Sequence, residues 1–139
     1  MDTIDQRILH ELEENAKCSY ADLAKLLQIS EPAVRKRVKK LEDKNVILGY
    51  RTLIDHKALG YSNKVVVGVD TTAADYACVI ENLKKFPEVR NLRTSSGDHM
   101  LMFEVWVKDI EDLGKFIEKV NTIKGVVQSC PSVIHDNIK

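Results

Sequence analysis

The chain has 139 residues, 44% of them hydrophobic, enough for one ordinary domain or two small ones with buried cores. Its 21 basic and 21 acidic residues cancel, which excludes a uniformly basic nucleic-acid coat, yet 30–51 holds seven basic residues against three acidic ones. Cys18, Cys78 and Cys130 are odd in number and form no C-x-x-C pair, and neither a signal segment nor a long apolar run occurs; the chain reads as cytoplasmic, without metal, disulfide framework or membrane span.

In chain order, Asp2 is placed to cap a first helix. Ile4, Ile8, Leu9 and Leu12 form one stripe on it, and it should end near Asn15-Ala16. A second helix opens at Ser19 or Tyr20 with Leu23, Ala24 and Leu27 inward; the small Ala24 lets another helix cross closely. After a turn at Leu27-Gln28-Ile29, Ser30 is the N-cap candidate of a third helix, expected from about Glu31 to Lys44. Pro32 falls in its first turn, where a missing N–H costs nothing.

On that third helix Val34, Val38, Leu41 and Asn45 share one face and Lys36 lies almost opposite. Ala33, Arg37 and Lys40 make one flank, Arg35 and Lys39 the other. Two helices joined by a short turn, the second capped and basic, are the pattern of a helix-turn-helix that enters the major groove of double-stranded DNA. Ala33, Lys36 and Arg37 are the candidates for base edges, and Arg35, Lys39 and Lys40 for phosphates. Ser30 and Pro32, at the helix start, complete the DNA-facing set. The competing reading is a solvated basic face on an ordinary helix.

Val46 to Asp55 is rich in β-formers and predicts a strand leaving the DNA-binding unit; 55–61 reads as a helical turn and linker. The expected domains are therefore 1–60, a helix-turn-helix with exit strand, and 61–139.

The second part carries a pseudo-repeat at an offset of 37: Ile80 maps to Ile117, Leu83 to Val120, Phe86 to Ile123, Val89 to Val126. Each unit reads strand, amphipathic helix, strand. Val65–Thr71 is the first strand; Tyr76, Val79, Ile80, Leu83 and Phe86 mark a helix ending before Pro87; Val89–Thr94 is the second strand. From His99 to Val107, Leu101, Phe103, Val105 and Val107 alternate with Met100, Met102, Glu104 and Trp106. A helix over Ile110–Val120 stops near Gly125, and 126–134 closes the sheet at an edge or bulge, as Pro131 requires.

Two such units predict a ferredoxin-like βαββαβ domain with both helices on one sheet face, and an α+β fold overall. Met100, Met102 and Trp106 on the other face are too apolar for water, which predicts a homodimer sealed sheet to sheet. No catalytic motif is present, the histidines are scattered, and no cofactor is implied. The alternative to a DNA-binding regulator is a ferredoxin-like small-molecule-binding module or small enzyme with no DNA role.

The chain resembles the Lrp/AsnC family of transcriptional regulators over essentially its whole length. The resemblance rests on Asp5-x-x-Ile8-Leu9, Asp22-Leu-Ala24, Ser30-x-x-x-Val34-x-x-Arg37-Val38-x-x-Leu41-Glu42 and Asn45-Val-Ile47-x-Gly49-Tyr50. It implies a winged-helix-like DNA-binding domain, an effector domain that dimerises, and assembly into tetramers, octamers or larger discs. It also implies an amino-acid effector near the loop Ser95-Ser96-Gly97-Asp98-His99-Met100, where Met100 stands in place of the family's second acid. Asp98 would accept an ammonium group, and Ser95 and Ser96 would bind a carboxylate. The other reading is a plain β-turn in which Gly97 supplies positive φ.

Overall fold

The computed structural model describes residues 1–136 and 138. They divide into two compact units, Met1–Leu53 and Ile54–Lys139, each with its own core. This division falls ahead of position 60.

The first unit holds three helices: α1 (Thr3–Glu14), α2 (Tyr20–Leu27) and α3 (Glu31–Asp43). Each starts where a side-chain oxygen satisfies an orphan backbone N–H. Asp2 accepts from the Asp5 amide at 2.9 Å, Ser19 from Asp22 at 3.0 Å and Ser30 from Ala33 at 3.3 Å. Gln28 ends α2 in the left-handed conformation, φ 57°, which turns the chain sharply into α3. Ile8, Leu12, Leu23, Ala24, Leu27, Val34, Val38 and Leu41 form the core. Ala24 is buried with them, as the small residue a close helix crossing needs.

The exit strand expected over Val46–Asp55 does not form; this stretch has no strand, and Leu48 and Leu53 are 89% and 98% exposed. A strand is defined by the neighbour it pairs with, and none of the described residues runs beside this one. The turn expected after it is present: Gly60 and Tyr61 donate to Lys57 and His56 at 2.9 and 3.0 Å.

The second unit contains β1 (Asn63–Thr71), α4 (Tyr76–Leu83), β2 (Arg90–Thr94), β3 (Leu101–Val107), α5 (Ile110–Asn121) and β4 (Val126–Ile134). The sheet order is β2-β3-β1-β4 and every pairing is antiparallel. This is the expected ferredoxin-like arrangement, with Pro131 on an edge strand. Val65, Val67, Val69, Leu101, Phe103 and Val105 meet Val79 and Leu83 of α4 and Phe116 and Val120 of α5. Burying each such side chain contributes about 1.5–3 kcal/mol, and Phe103 and Phe116 add an edge-to-face contact at 6.0 Å.

α4 stops at Leu83, short of the expected Phe86, which reaches the core from the turn beyond. β2 begins one residue late and carries an irregularity between Arg90 and Arg93, with Asn91 at φ 51°. Gly125 ends the turn after α5 at φ 93°, and a Cβ there would lie 2.1 Å from that of Asp75, so no larger residue fits.

The sheet face away from the helices carries Met102, Glu104 and Trp106 of β3 opposite Gly68, Val66 and Lys64 of β1. Met100 corrects the sequence expectation. It precedes β3, so strand alternation does not reach it; it packs on the helix-covered core, its sulfur 3.8 Å from the buried Thr71 hydroxyl. Trp106 is partly covered by its own chain. The Arg90 guanidinium lies over its ring at 4.0 Å, and His56 and Tyr61 are tilted against it. Its indole N–H is buried without an acceptor among the described residues.

Candidate nucleic-acid interface and effector loop

Val34, Val38 and Leu41 fix which way α3 faces, because all three are buried against α1 and α2. Arg35, Lys36, Lys39 and Lys40 are consequently exposed on the outer side, with Ser30 and Pro32 exposed at the helix start and Ala33 half-buried beside them. Two of the four cations have local partners: Arg35 meets Glu31 at 3.0 Å, and Lys39 meets Asp43 at 3.5 Å. Such exposed i,i+4 pairs contribute only about 0.3–0.5 kcal/mol, so a phosphate can displace the carboxylate at little cost. Arg35 also lies over the Tyr20 ring of α2 at 4.9 Å, which limits its wandering. Among the described residues no ion pair holds Lys36 or Lys40.

Arg37 behaves differently from the expected base reader. Its Nη1 donates to Asp2 Oδ2 and Asp5 Oδ1, each at 2.6 Å, and so turns back onto the first turn of α1. The Asp5 amide and the Arg37 guanidinium hold the Asp2 carboxyl below its ordinary range, and the two carboxylates raise Arg37 above its own. Asp2-x-x-Asp5 reads locally as a cap; its second role needs a partner on another helix. The one available signal is that Arg37 sits one turn from buried Val34, at the edge of the packed face.

Tyr50, also missed, donates to Glu42 at 2.8 Å and ties the segment after α3 to its last turn. Burial first, then the Glu42 carboxylate, pushes its hydroxyl up to about 12.

In the second unit Ser95, Ser96, Gly97 and Asp98 are all exposed on the β2–β3 connection. The Ser95 amide donates to Met100 O at 2.9 Å and the Gly97 amide to the Ser95 hydroxyl at 3.1 Å, which closes the turn locally. His99 pairs with Asp70 of β1, not with its neighbour Asp98: Nδ1 and Oδ2 are 2.9 Å apart, while Asp70 Oδ1 accepts the Met100 amide at 3.2 Å. The imidazole sits against β1 where Gly68 has no side chain; a Cβ there would come within 2.1 Å of the ring.

The hydrogen bond from His99, and then that from Met100, hold the Asp70 carboxyl below its usual range against the opposing effect of burial. A depressed carboxylate stabilises the fold above the unfolded value, about 3.9, and that contribution is lost as pH falls through the lowered folded value. Asp70→Asn should therefore lower the urea midpoint at pH 7 and leave the midpoint near pH 3 closer to that of the parent. An equal loss at both pH values would show that the charge on Asp70 contributes nothing.

Residues 1–42 match the AsnC-type helix-turn-helix domain and residues 64–139 the Lrp/AsnC ligand binding domain. The chain is 46% identical over 140 residues to the HTH-type transcriptional regulator LrpA of Pyrococcus abyssi, covering 100% of this chain and 99% of that protein. Among solved structures, Escherichia coli AsnC is 28% identical with a TM-score of 0.84, covering 100% of this chain and 95% of that one. Bacillus subtilis LrpC is 26% identical with a TM-score of 0.87, covering 100% and 97%.

Proposed function

Since the chain belongs to the Lrp/AsnC family of helix-turn-helix transcriptional regulators, we propose that it grips promoter DNA with the outer face of α3, as a homodimer whose β1–β4 sheets meet face to face. It is a DNA-binding regulator and not an enzyme. The observation that carries the DNA assignment is the opposition of buried Val34, Val38 and Leu41 to exposed Arg35, Lys36, Lys39 and Lys40 on one capped helix. Lys36, with Ala33 and Pro32 allowing close approach, reads base edges; Arg35, Lys39 and Lys40 hold phosphates, and Ser30 fixes the helix start.

The dimer follows from the sheet face that no helix covers. Val66, Met102 and the edge of Trp106 form an apolar centre beside the Lys64–Glu104 ion pair, which closes at 3.2 Å. The exposed Leu48 and Leu53 gain apolar cover if the same segment of a second copy runs beside them. Dimers associate further into tetramers or octamers. The protein acts in the cytoplasm, and no helix among the described residues is long and apolar enough to cross a membrane.

The exposed loop Ser95-Ser96-Gly97-Asp98 is the effector site, taking an amino acid or a related small molecule. Asp98 faces the ammonium group and Ser95 and Ser96 the carboxylate; the Ser95 oxygen accepts the Gly97 amide, and its O–H is left to donate. Met100 supplies only its backbone, through Asp70.

Gel shifts on the duplex upstream of the protein's own gene test this. Three phosphate-holding cations per protomer make about six in a dimer, so affinity should fall about a thousandfold between about 50 and 200 mM salt. A dependence of less than tenfold would remove the phosphate assignment. Millimolar amounts of at least one common amino acid should alter the complex; silence from all of them would leave the loop structural.

A further inference from the structure

The Asp2–Asp5–Arg37 cluster divides its labour in a way that capping alone does not require. Asp2 gives Oδ1 to the Asp5 amide, 2.9 Å, and Oδ2 to Arg37, 2.6 Å. Asp5 gives Oδ2 to the Asp2 amide, 3.4 Å, and Oδ1 to Arg37, 2.6 Å. Each carboxylate thus spends one oxygen on holding the start of α1 and the other on a single nitrogen of α3. Asp5 is only 5% exposed, an acid buried beside Ile8, whereas the cations of the DNA-facing set are exposed. An acid so placed is retained only with a paired cation, because an unpaired buried charge is strongly unfavourable.

We propose that Arg37 is a positioning residue: bridged to Asp2 and Asp5, it sets the rotation of α3 on α1 and thereby the angle at which Lys36 meets the groove. Apolar contacts at Val34, Val38 and Leu41 hold α3 against its neighbours but are non-directional. The bridge is directional, and it lies on the flank of α3 opposite Arg35 and Lys39. Rotation about the apolar seam is the one movement that would carry Lys36 sideways, and a two-armed ion pair on one flank resists it. Arg37 is occupied by this bridge and touches neither base nor phosphate. The inference rests on the assignment of α3 to the groove.

The test compares Arg37→Ala, Asp5→Asn, the double variant and Arg37→Lys on the preferred duplex and on an unrelated one. All are measured at a temperature where circular dichroism shows the parent's full helix content, so that stability alone leaves the Kd unmoved. Arg37→Ala and Asp5→Asn should each weaken binding to the preferred duplex about tenfold, within the range of coupling carried through packed networks. The double variant should be no weaker than the worse single. The salt slope should stay at the parent value, and Arg37→Lys, still able to reach one carboxylate, should recover most of the loss. Should Asp5→Asn not fold, Asp2→Asn removes the outer arm and gives the same comparison with a smaller factor. The proposal is overturned if the acid variants bind as the parent does while Arg37→Ala lowers the salt slope by about one or changes which base is preferred, since Arg37 would then contact DNA. Failure of the groove assignment looks different: the parent itself, and Lys36→Ala with it, would show no preference between the two duplexes.

Discussion

Lys36→Ala should lower affinity for the preferred operator by about thirtyfold or more and change affinity for unrelated duplex by less than about threefold. A good side-chain contact to a base edge discriminates by about 1–3 kcal/mol, and a dimer loses two of them. Lys36 is the natural reader because it lies opposite the buried anchors and no ion pair holds it among the described residues. Arg35→Ala and Lys39→Ala should behave differently. Each gives a loss spread evenly over all sequences and a salt slope reduced by about one per site, the signature of a phosphate contact. If Lys36→Ala gives that even loss instead, the reader lies elsewhere on the helix.

Met102→Asp should leave the fold intact and abolish the dimer, and operator affinity should drop with it by about a hundredfold or more. Met102 is on the sheet face away from the helices, opposite Gly68, so the change does not touch the core that Phe103 and Val105 build on the other side. A carboxylate carried into such a face must give up its water, and even with Arg93 opposite it on β2 that desolvation strongly disfavours closing the interface. Once monomeric, each α3 binds its half-site alone and loses the effective concentration that linkage provides, worth about 10²–10⁴ in avidity. Light scattering at micromolar concentration should give twice the chain mass of 15.8 kDa, or a multiple of that, for the parent and the single mass for Met102→Asp. Trp106 is the only tryptophan, so its emission reports the same face and should shift on dissociation. A parent that is already monomeric would remove the dimer from the account.

Much of this was legible because local rules govern it. Ser19 and Ser30 cap helices wherever an apolar period of 3.6 follows them, and Leu101 to Val107 can face one core only as a strand. The relation of two helices to an uncovered sheet face follows from the repeat of those patterns. What escaped depends on partners distant in sequence. Arg37 meets an acid 35 residues away, and His99 meets Asp70 across 29; neither pairing leaves a periodic trace. Met100 departs from the alternating pattern because the strand starts at Leu101, one residue after it. The segment at 46–55 has strand composition without a strand's neighbour, so composition alone overshot.

Hydroxyl-radical footprinting of the parent on operator fragments selected from genomic DNA tests the placement of α3 most directly. Two protected patches on one face of the duplex, centred about 34 Å apart and both lost with Lys36→Ala, are the expected result. Protection that is even along any sequence, or that survives Lys36→Ala unchanged, would contradict it.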